Sequence, residues 1–165
     1  MSDDSSATLR FLPVGLDVRD KDCVVVGGGS VGSRKVATLR HAGAIVTVVS
    51  PAVTDETAEM IHSGAVRWVQ EPFREEHIGG AFLTVAATDD HELNAAVVQA
   101  AVRNGALACD ASSAERSQVI FGALLEDENV TIAVFTGGRD PNQARRTRDR
   151  IAILMSGKGG SEAEM

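Results

Sequence analysis

Between Cys23 and Lys35 the chain reads Cys-Val-Val-Val-Gly-Gly-Gly-Ser-Val-Gly-Ser-Arg-Lys, and no other stretch limits the fold as much. Strand-forming residues run into three glycines and a helical pattern starts directly behind them. That order of strand, turn and helix is what a dinucleotide-binding βαβ unit requires. Gly27, Gly29 and Gly32 fill a G-x-G-x-x-G frame, with Gly28, Ser30 and Val31 as the intervening backbone. In this frame Gly27 allows the tight turn off the strand, Gly29 admits a pyrophosphate where a Cβ would collide, and Gly32 lets the helix lie close on the sheet. The N–H groups of the first helical turn then face the anion. The same frame also describes a βα turn that holds nothing, so the rest of the chain has to decide.

Downstream, Val31, Val36, Leu39 and Ala42 keep helical spacing and Gly43 supplies a stop. Ala44 to Val49 is then a second strand with no alternation, as expected where both faces of a parallel sheet are covered. Thr54 to Ser63 predicts a second helix, Val66 to Val69 a third strand and Phe82 to Ala87 a fourth. Thr88-Asp89-Asp90 leaves the fourth strand at its carboxyl end, where open α/β sheets take ligands. There Thr88 and Asp89 either touch a cofactor or cap the helix that runs to about Asn104. Ala106 to Asp110 predicts a fifth strand that leaves Asp110 at the same edge, and Ser112 to Gln118 is a polar loop.

The carboxyl-terminal third changes character. Val119 to Leu125 and Val130 to Thr136, joined by Glu126-Asp127-Glu128-Asn129, predict a hairpin or meander, and Pro141 stands near the first turn of a last helix. Ahead of the first strand, Phe11 to Val18 is apolar but broken by Pro13, which suits an edge strand or a packed loop. The expected fold is therefore α/β: a Rossmann-like parallel sheet with a small C-terminal β-hairpin and helix extension. Its expected divisions are a flexible tail at 1–10, a NAD-binding Rossmann domain at 11–118, a hairpin and helix for dimerisation or substrate at 119–155, and a disordered tail at 156–165.

Charge narrows the partners. The 165 residues carry a net −7, which repels nucleic acid and anionic membrane surfaces. Met1-Ser2-Asp3-Asp4-Ser5-Ser6 is acidic where a signal peptide is basic and then apolar, so the cytoplasm is the expected compartment. Cys23 and Cys109 fall on predicted strands and are expected as buried thiols. The four histidines, His41, His62, His77 and His91, lack ligand spacing and are expected at the surface, with no metal site.

Against the negative total, Arg139 to Arg150 holds five arginines and two aspartates, a net of +3. Such an island is either a solvated helix face or a holder for a small polyanion. Arg34 and Lys35 stand in the first turn of a helix, against its dipole, which a nearby phosphate or anionic substrate would explain. Where an acid would hold the ribose 2′-hydroxyl, the second strand ends in Ser50-Pro51, so the frame does not choose between NAD and NADP. Ser50 could bond a hydroxyl or tolerate a phosphate.

Gly27 to Lys35, Ala44 to Pro51, Ala86-Ala87-Thr88-Asp89-Asp90 with Asn94, Asp110, and Thr136-Gly137-Gly138 with Pro141 and Ala144-Arg145 together resemble the precorrin-2 dehydrogenase family, the dehydrogenase module of siroheme synthases. The resemblance covers about 11–155. It implies that NAD accepts a hydride from precorrin-2 to give sirohydrochlorin, that Asp110 matches a catalytic aspartate, and that iron insertion accompanies this activity in some members. It also implies a homodimer. The chain departs from the family's pattern at Leu107-Ala108-Cys109, usually Asn-Val-Val, at Gly122, usually proline, and at Asp140, often serine.

The chemistry of the residues agrees. Precorrin-2 is a polycarboxylate that Arg34, Lys35, Arg139, Arg145 and Arg146 could hold by charge-assisted hydrogen bonds. Asp110 is placed either for general base work beside a nicotinamide or as a loop-anchoring carboxylate, and Asp89 and Asp90, after the neighbouring strand at the same edge, are the alternative bases. Two other readings stay open. A NAD-sensing regulatory module would need the glycine turn without the basic island, and a degenerate dehydrogenase would serve only as an interaction partner.

Overall fold

The computed structural model describes residues 9–156. The tails expected at 1–10 and 156–165 lie almost wholly outside them. Among the described residues the chain forms two compact units, one of Pro13–Ile120 and one made of residues 9–12 with 121–156.

In the first unit five strands make one parallel sheet: β1 (Asp22–Val26), β2 (Ile45–Val49), β3 (Val66–Val69), β4 (Leu83–Ala86) and β5 (Leu107–Asp110), ordered β3-β2-β1-β4-β5. Register puts Val25 beside Val48 and Val85, and Val85 beside Cys109. All four are essentially buried. They share one face of the sheet, because alternate residues of a strand point the same way. Helix α1 (Ser30–His41) packs on β1, β2 and β4, and α2 (Asp55–His62) packs on β3. The opposite face, with Val24, Val26, Ala86 and Ala108, joins Val97, Val98 and Ala101 of α3 (His91–Arg103) in one apolar cluster. Both faces are covered, which is why the strands read as apolar runs.

Each helix ends for a visible reason. Thr54 caps α2, its hydroxyl accepting from Thr57 N–H at 3.3 Å. Asp90 caps α3, Oδ1 accepting from Glu92 and Leu93 N–H at 2.9 and 3.0 Å. Gly43 and Gly105 follow α1 and α3 at φ 84° and 74°, the left-handed region that stops a helix.

The second unit is a hairpin of β6 (Ala123–Asp127) and β7 (Val130–Val134) against α4 (Pro141–Ser156). The strands join through Glu128-Asn129, and Glu128 takes φ 47°. Asp140 accepts from Gln143 N–H at 2.8 Å and opens α4.

Three expectations need correction. Phe11–Val18 is neither strand nor packed loop: Leu12 and Val14 are 78% and 68% exposed and only Val18 is buried. Pro13 and Gly15 break the run, and none of the sheet's partners pairs with it. Val119–Gly122 lies outside the hairpin. Instead Gln118 and Val119 donate N–H to Ala108 O at 2.8 and 3.1 Å, extending the edge beside β5. His77 is not a surface residue, since its side chain is 9% exposed and its Nδ1 accepts from Arg74 N–H while Nε2 meets Glu71.

Thr84, on β4, carries the one buried side-chain oxygen without a hydrogen-bond partner among the described residues. A buried hydroxyl left unpaired costs about 1–3 kcal/mol. Thr84→Val keeps the shape and should raise the urea midpoint, by a stabilisation of about 1 kcal/mol. A fall of that size would mean the hydroxyl is bonded in solution.

Candidate functional site

The strand order reverses direction between β1 and β4, and open α/β sheets bind ligands at the carboxyl ends of the strands flanking such a point. The glycine turn sits there. Gly27, at φ 119°, donates N–H to Val49 O at 3.0 Å, while Ala87 N–H donates to Val26 O at 2.8 Å. A Cβ on Gly27 would run into Ala87 O, and one on Gly32 would run into Gly27 O. These two contacts press the turn against β4 and α1 against the turn.

Gly28 and Gly29 divide the remaining work. A Cβ on Gly28 would run into Ala52 O, because Thr54 N–H donates to Gly28 O at 3.0 Å and draws the loop after β2 over it. Gly29 is exposed and a Cβ there meets nothing within 4 Å. It is also the α1 N-cap, with no side chain to cap it. The first intrahelical bond at this end runs from Ser33 N–H to Gly29 O, so the amides of Ser30, Val31 and Gly32 precede the ladder. Open space at Gly29, with Ser30 and Val31 exposed after it and Gly32 buried, at the positive end of a helix, fits a diphosphate.

Along the ribose side the sequence reading of Ser50 changes. Its hydroxyl is buried and donates to Ala52 O at 2.7 Å, so it shapes the loop and is not turned toward a ligand. Trp68 Nε1 donates to Ser50 O at 2.9 Å and fixes the same loop from β3. Pro51 is exposed next to it. Behind the turn, Ser33, Thr54 and Thr57 join their hydroxyls at 3.0–3.2 Å, and Ser33 Oγ also donates to Glu56 Oε2 at 3.1 Å. This cluster locks the start of α2 to the start of α1.

Across the switch point the loop after β4 is held by Asn94, which is fully buried. Its Oδ1 accepts from Thr88 N–H and Oγ–H at 3.0 and 2.7 Å, and its Nδ2 donates to Thr88 O at 2.9 Å. Thr88 therefore braces the loop, the cap falls to Asp90, and Asp89 is left exposed.

Asp110 ends β5 at the same edge, with a side chain 0% exposed. Oδ1 accepts from Ser112 N–H at 2.8 Å and Ser112 Oγ–H at 2.6 Å, and Oδ2 from Arg116 Nε at 2.6 Å. Burial by itself raises this carboxyl, but the hydrogen bonds from Ser112 and the Arg116 guanidinium outweigh it and hold it below its ordinary value. The loop-anchoring role is thus realised. Ser112 Oγ also meets His91 Nδ1 at 3.1 Å and Asn94 Nδ2 at 3.3 Å, which ties the loops after β4 and β5 together.

Arg34 is exposed on α1 and its Nε donates to Ser30 O at 3.3 Å. Lys35 is half-buried, and burial pulls its ammonium below the ordinary value. Beside it the Cys109 thiol is pushed up to about 11 by burial, and so is the Cys23 thiol. Both cysteines are free.

In the other unit, Arg139, Arg145 and Arg146 are exposed. Arg145 donates to Asn142 Oδ1 at 2.9 Å, and Arg146 stands 3.9 Å from Asp140. Arg148 pairs with Asp149 at 2.7 Å, so part of the island's charge is neutralised locally.

The sequence reading missed Ser112 and Arg116 and placed His91 only at the surface; Asn94 was found through the resemblance, and it also shows as a lone amide on an otherwise apolar helix face. Among the described residues no group of three His, Cys, Asp or Glu side chains is arranged to hold a metal ion. Nor is any described helix long and apolar enough to cross a membrane.

A family model described as "Putative NAD(P)-binding" matches residues 14–123. Siroheme synthase 1 of Pectobacterium atrosepticum is 35% identical over 157 residues, 95% of this chain and 33% of that protein. Siroheme synthase of Nitrosomonas europaea is 36% identical, over 94% of this chain and 33% of its own length. The chain thus spans about a third of the curated relatives it matches. Among solved structures, the precorrin-2 dehydrogenase SirC superposes with a TM-score of 0.75 at 28% identity, over 87% of this chain and 71% of that one. With the glycine turn at the switch point and a family match that spans the whole sheet, the chain belongs to the family described as putative NAD(P)-binding.

Proposed function

We propose that this chain oxidises precorrin-2 to sirohydrochlorin with NAD in siroheme biosynthesis. The observation that carries the reading is the pairing, on one sheet edge, of amides open to a diphosphate at Gly29–Gly32 with the carboxylate of Asp110 at the end of β5. The likeness to siroheme synthases and to SirC supports precorrin-2 as the substrate.

The α1 amides of Ser30, Val31 and Gly32 would hold the diphosphate, with Gly27 and Gly28 setting the turn beneath it. Pro51, on the loop that Ser50 shapes, would border the ribose, and Thr88 with Asp89 the nicotinamide side. No lysine or arginine occurs between Ser50 and His62, while Asp55 and Glu56 open α2. A 2′-phosphate would meet negative charge there, which supports NAD over NADP. When bound, NAD supplies the acceptor for the hydride.

The protein's own part is to bind the polycarboxylate and take the proton that leaves with the hydride. In the sheet unit Arg34 and Lys35, and in the hairpin unit Arg139, Arg145 and Arg146, are the proposed carboxylate holders, each unit by itself, since charge-assisted bonds to guanidinium and ammonium groups are the strong ones. The proton would rest on Asp110 Oδ2, which accepts only one hydrogen bond and keeps a lone pair. The same reading puts the protein in the cytoplasm as a homodimer, and the half-exposed apolar residues of β6, β7 and α4, with Ile153 and Leu154 about two-thirds exposed, support an interface on that unit.

Anaerobic mixing with NAD and enzymatically made precorrin-2 tests the reading: NADH and sirohydrochlorin absorbance should appear together. In the same assay Asp110→Asn should slow turnover by about 10² or more with NAD binding retained. An unchanged rate would move the proton acceptor elsewhere. Gly29→Asp separates fold from site. The new side chain has room and is a good N-cap, so unfolding stability should hold to within about a few tenths of a kcal/mol. Its charge would face the diphosphate, so calorimetry should find NAD binding lost, and unchanged affinity would contradict the site.

A further inference from the structure

Asp110 presents a difficulty for the chemistry just described. Its side chain is wholly covered, and the nearest cation, Arg116, occupies Oδ2 through Nε at 2.6 Å. A carboxylate held this way is a weak proton acceptor and is out of a substrate's reach.

The guanidinium that covers it is not itself covered. Arg116 lies on the 3-10 turn Ala114–Arg116, with its side chain 37% exposed. Its partners among the described residues are Asp110, through Nε, and Ser112 Oγ, which Nη2 reaches at only 3.4 Å. Nη1 and the outer hydrogen of Nη2 have none. The pairing with Asp110 is therefore single-ended, whereas a guanidinium prefers a carboxylate that takes two parallel N–H bonds. The site lies at the sheet's carboxyl edge, on the loop after β5, where a ligand of this fold is expected.

We infer that Arg116 is a substrate-recognition residue, whose outward edge takes a carboxylate of the tetrapyrrole and which, on doing so, leaves Asp110 Oδ2. Recognition and proton acceptance are then coupled. Without a polyanion the guanidinium keeps Asp110 ionised and shielded. With the polyanion bound, Asp110 loses its counter-charge but stays in a buried setting, and its affinity for a proton rises. No bond to carbon changes in this step, since the guanidinium only exchanges one carboxylate partner for another.

Other charged groups do not supply this coupling. His91, on α3, reaches Asp110 only through Ser112 Oγ. Lys35, on α1, lies beside Cys109, whose thiol is neutral at physiological pH. Ser112 holds Oδ1 in either state, so the carboxylate keeps its orientation when Arg116 leaves.

This inference rests on the precorrin-2 reading, and its test keeps the two apart. Sirohydrochlorin, the fluorescent product, is titrated into the NAD-loaded protein as the free acid and as the neutral octamethyl ester, for the native chain, Arg116→Gln and Arg116→Lys. The native chain should prefer the free acid. Arg116→Gln should bind the free acid about tenfold or more weaker, with the ester and NAD unaffected. Arg116→Lys should recover only part of the loss, because an ammonium lacks the two-pronged geometry.

The pH profile supplies the second readout. In Arg116→Gln the acid limb of kcat/KM, which reports the free enzyme, should move up by about one pH unit or more, toward the limb seen in kcat. A merely structural arginine would not move it. Equal free-acid affinity in the native and Arg116→Gln proteins, or an unmoved acid limb, overturns the role of Arg116. A native chain that binds neither form overturns the tetrapyrrole reading itself.

Discussion

Everything at the candidate site depends on how closely backbone approaches backbone at the end of β1. Gly27 lies against Ala87 O, Gly32 against Gly27 O and Gly28 against Ala52 O, with no room for a methyl group at any of the three. Interiors are packed to crystal-like density, so each contact leaves the chain little freedom. Together they fix where α1 begins, and therefore where its unbonded amides point. Gly29 differs from the other three because the space before it is open. A turn so constrained on three sides and empty on the fourth leaves room for something that is not protein.

The two edges of that space are built differently. On the β2 side, Ser50, Trp68 and the Ser33–Thr54–Thr57 hydroxyls form a rigid polar wall whose hydrogen bonds are satisfied internally. On the β5 side, Asn94 and Ser112 hold two loops in place, but the outermost link is an ion pair with one half-open partner. Stiffness belongs where a cofactor is cradled the same way every time. An exchangeable contact belongs where a substrate comes and goes. The Asp110 carboxylate is wholly buried while Arg116 is half-exposed, so the pair anchors the loop after β5 and, on the proposed reading, also serves the chemistry.

Much of this was legible in the sequence, for physical reasons that can be named. Strands buried on both faces lose the alternation of apolar and polar residues, so Val24 to Val26, Val46 to Val49 and Val85 to Ala87 announced a parallel sheet. Glycines at fixed offsets announced the turn. What stayed hidden depends on which way a single side chain faces. Ser50 looked like a ligand contact because it ends β2, yet its hydroxyl closes a two-residue loop. The α3 cap fell one residue beyond Thr88-Asp89 because Thr88 was already committed to Asn94. Asp110 was found by position, but Arg116 could not be, because it meets Asp110 only after a polar loop folds back over six residues. Phe11 to Val18 misled for the opposite reason: apolar composition predicts burial only where a partner surface exists.

The most direct test of the central claim is a backbone amide titration by nuclear magnetic resonance with ADP-ribose, which carries the diphosphate without the nicotinamide. The account predicts the largest shifts at the amides of Gly29, Ser30, Val31 and Gly32, with smaller ones at Pro51's neighbours and at Thr88 and Asp89. Saturable binding whose shifts fall elsewhere, leaving the α1 amides unmoved, would contradict it.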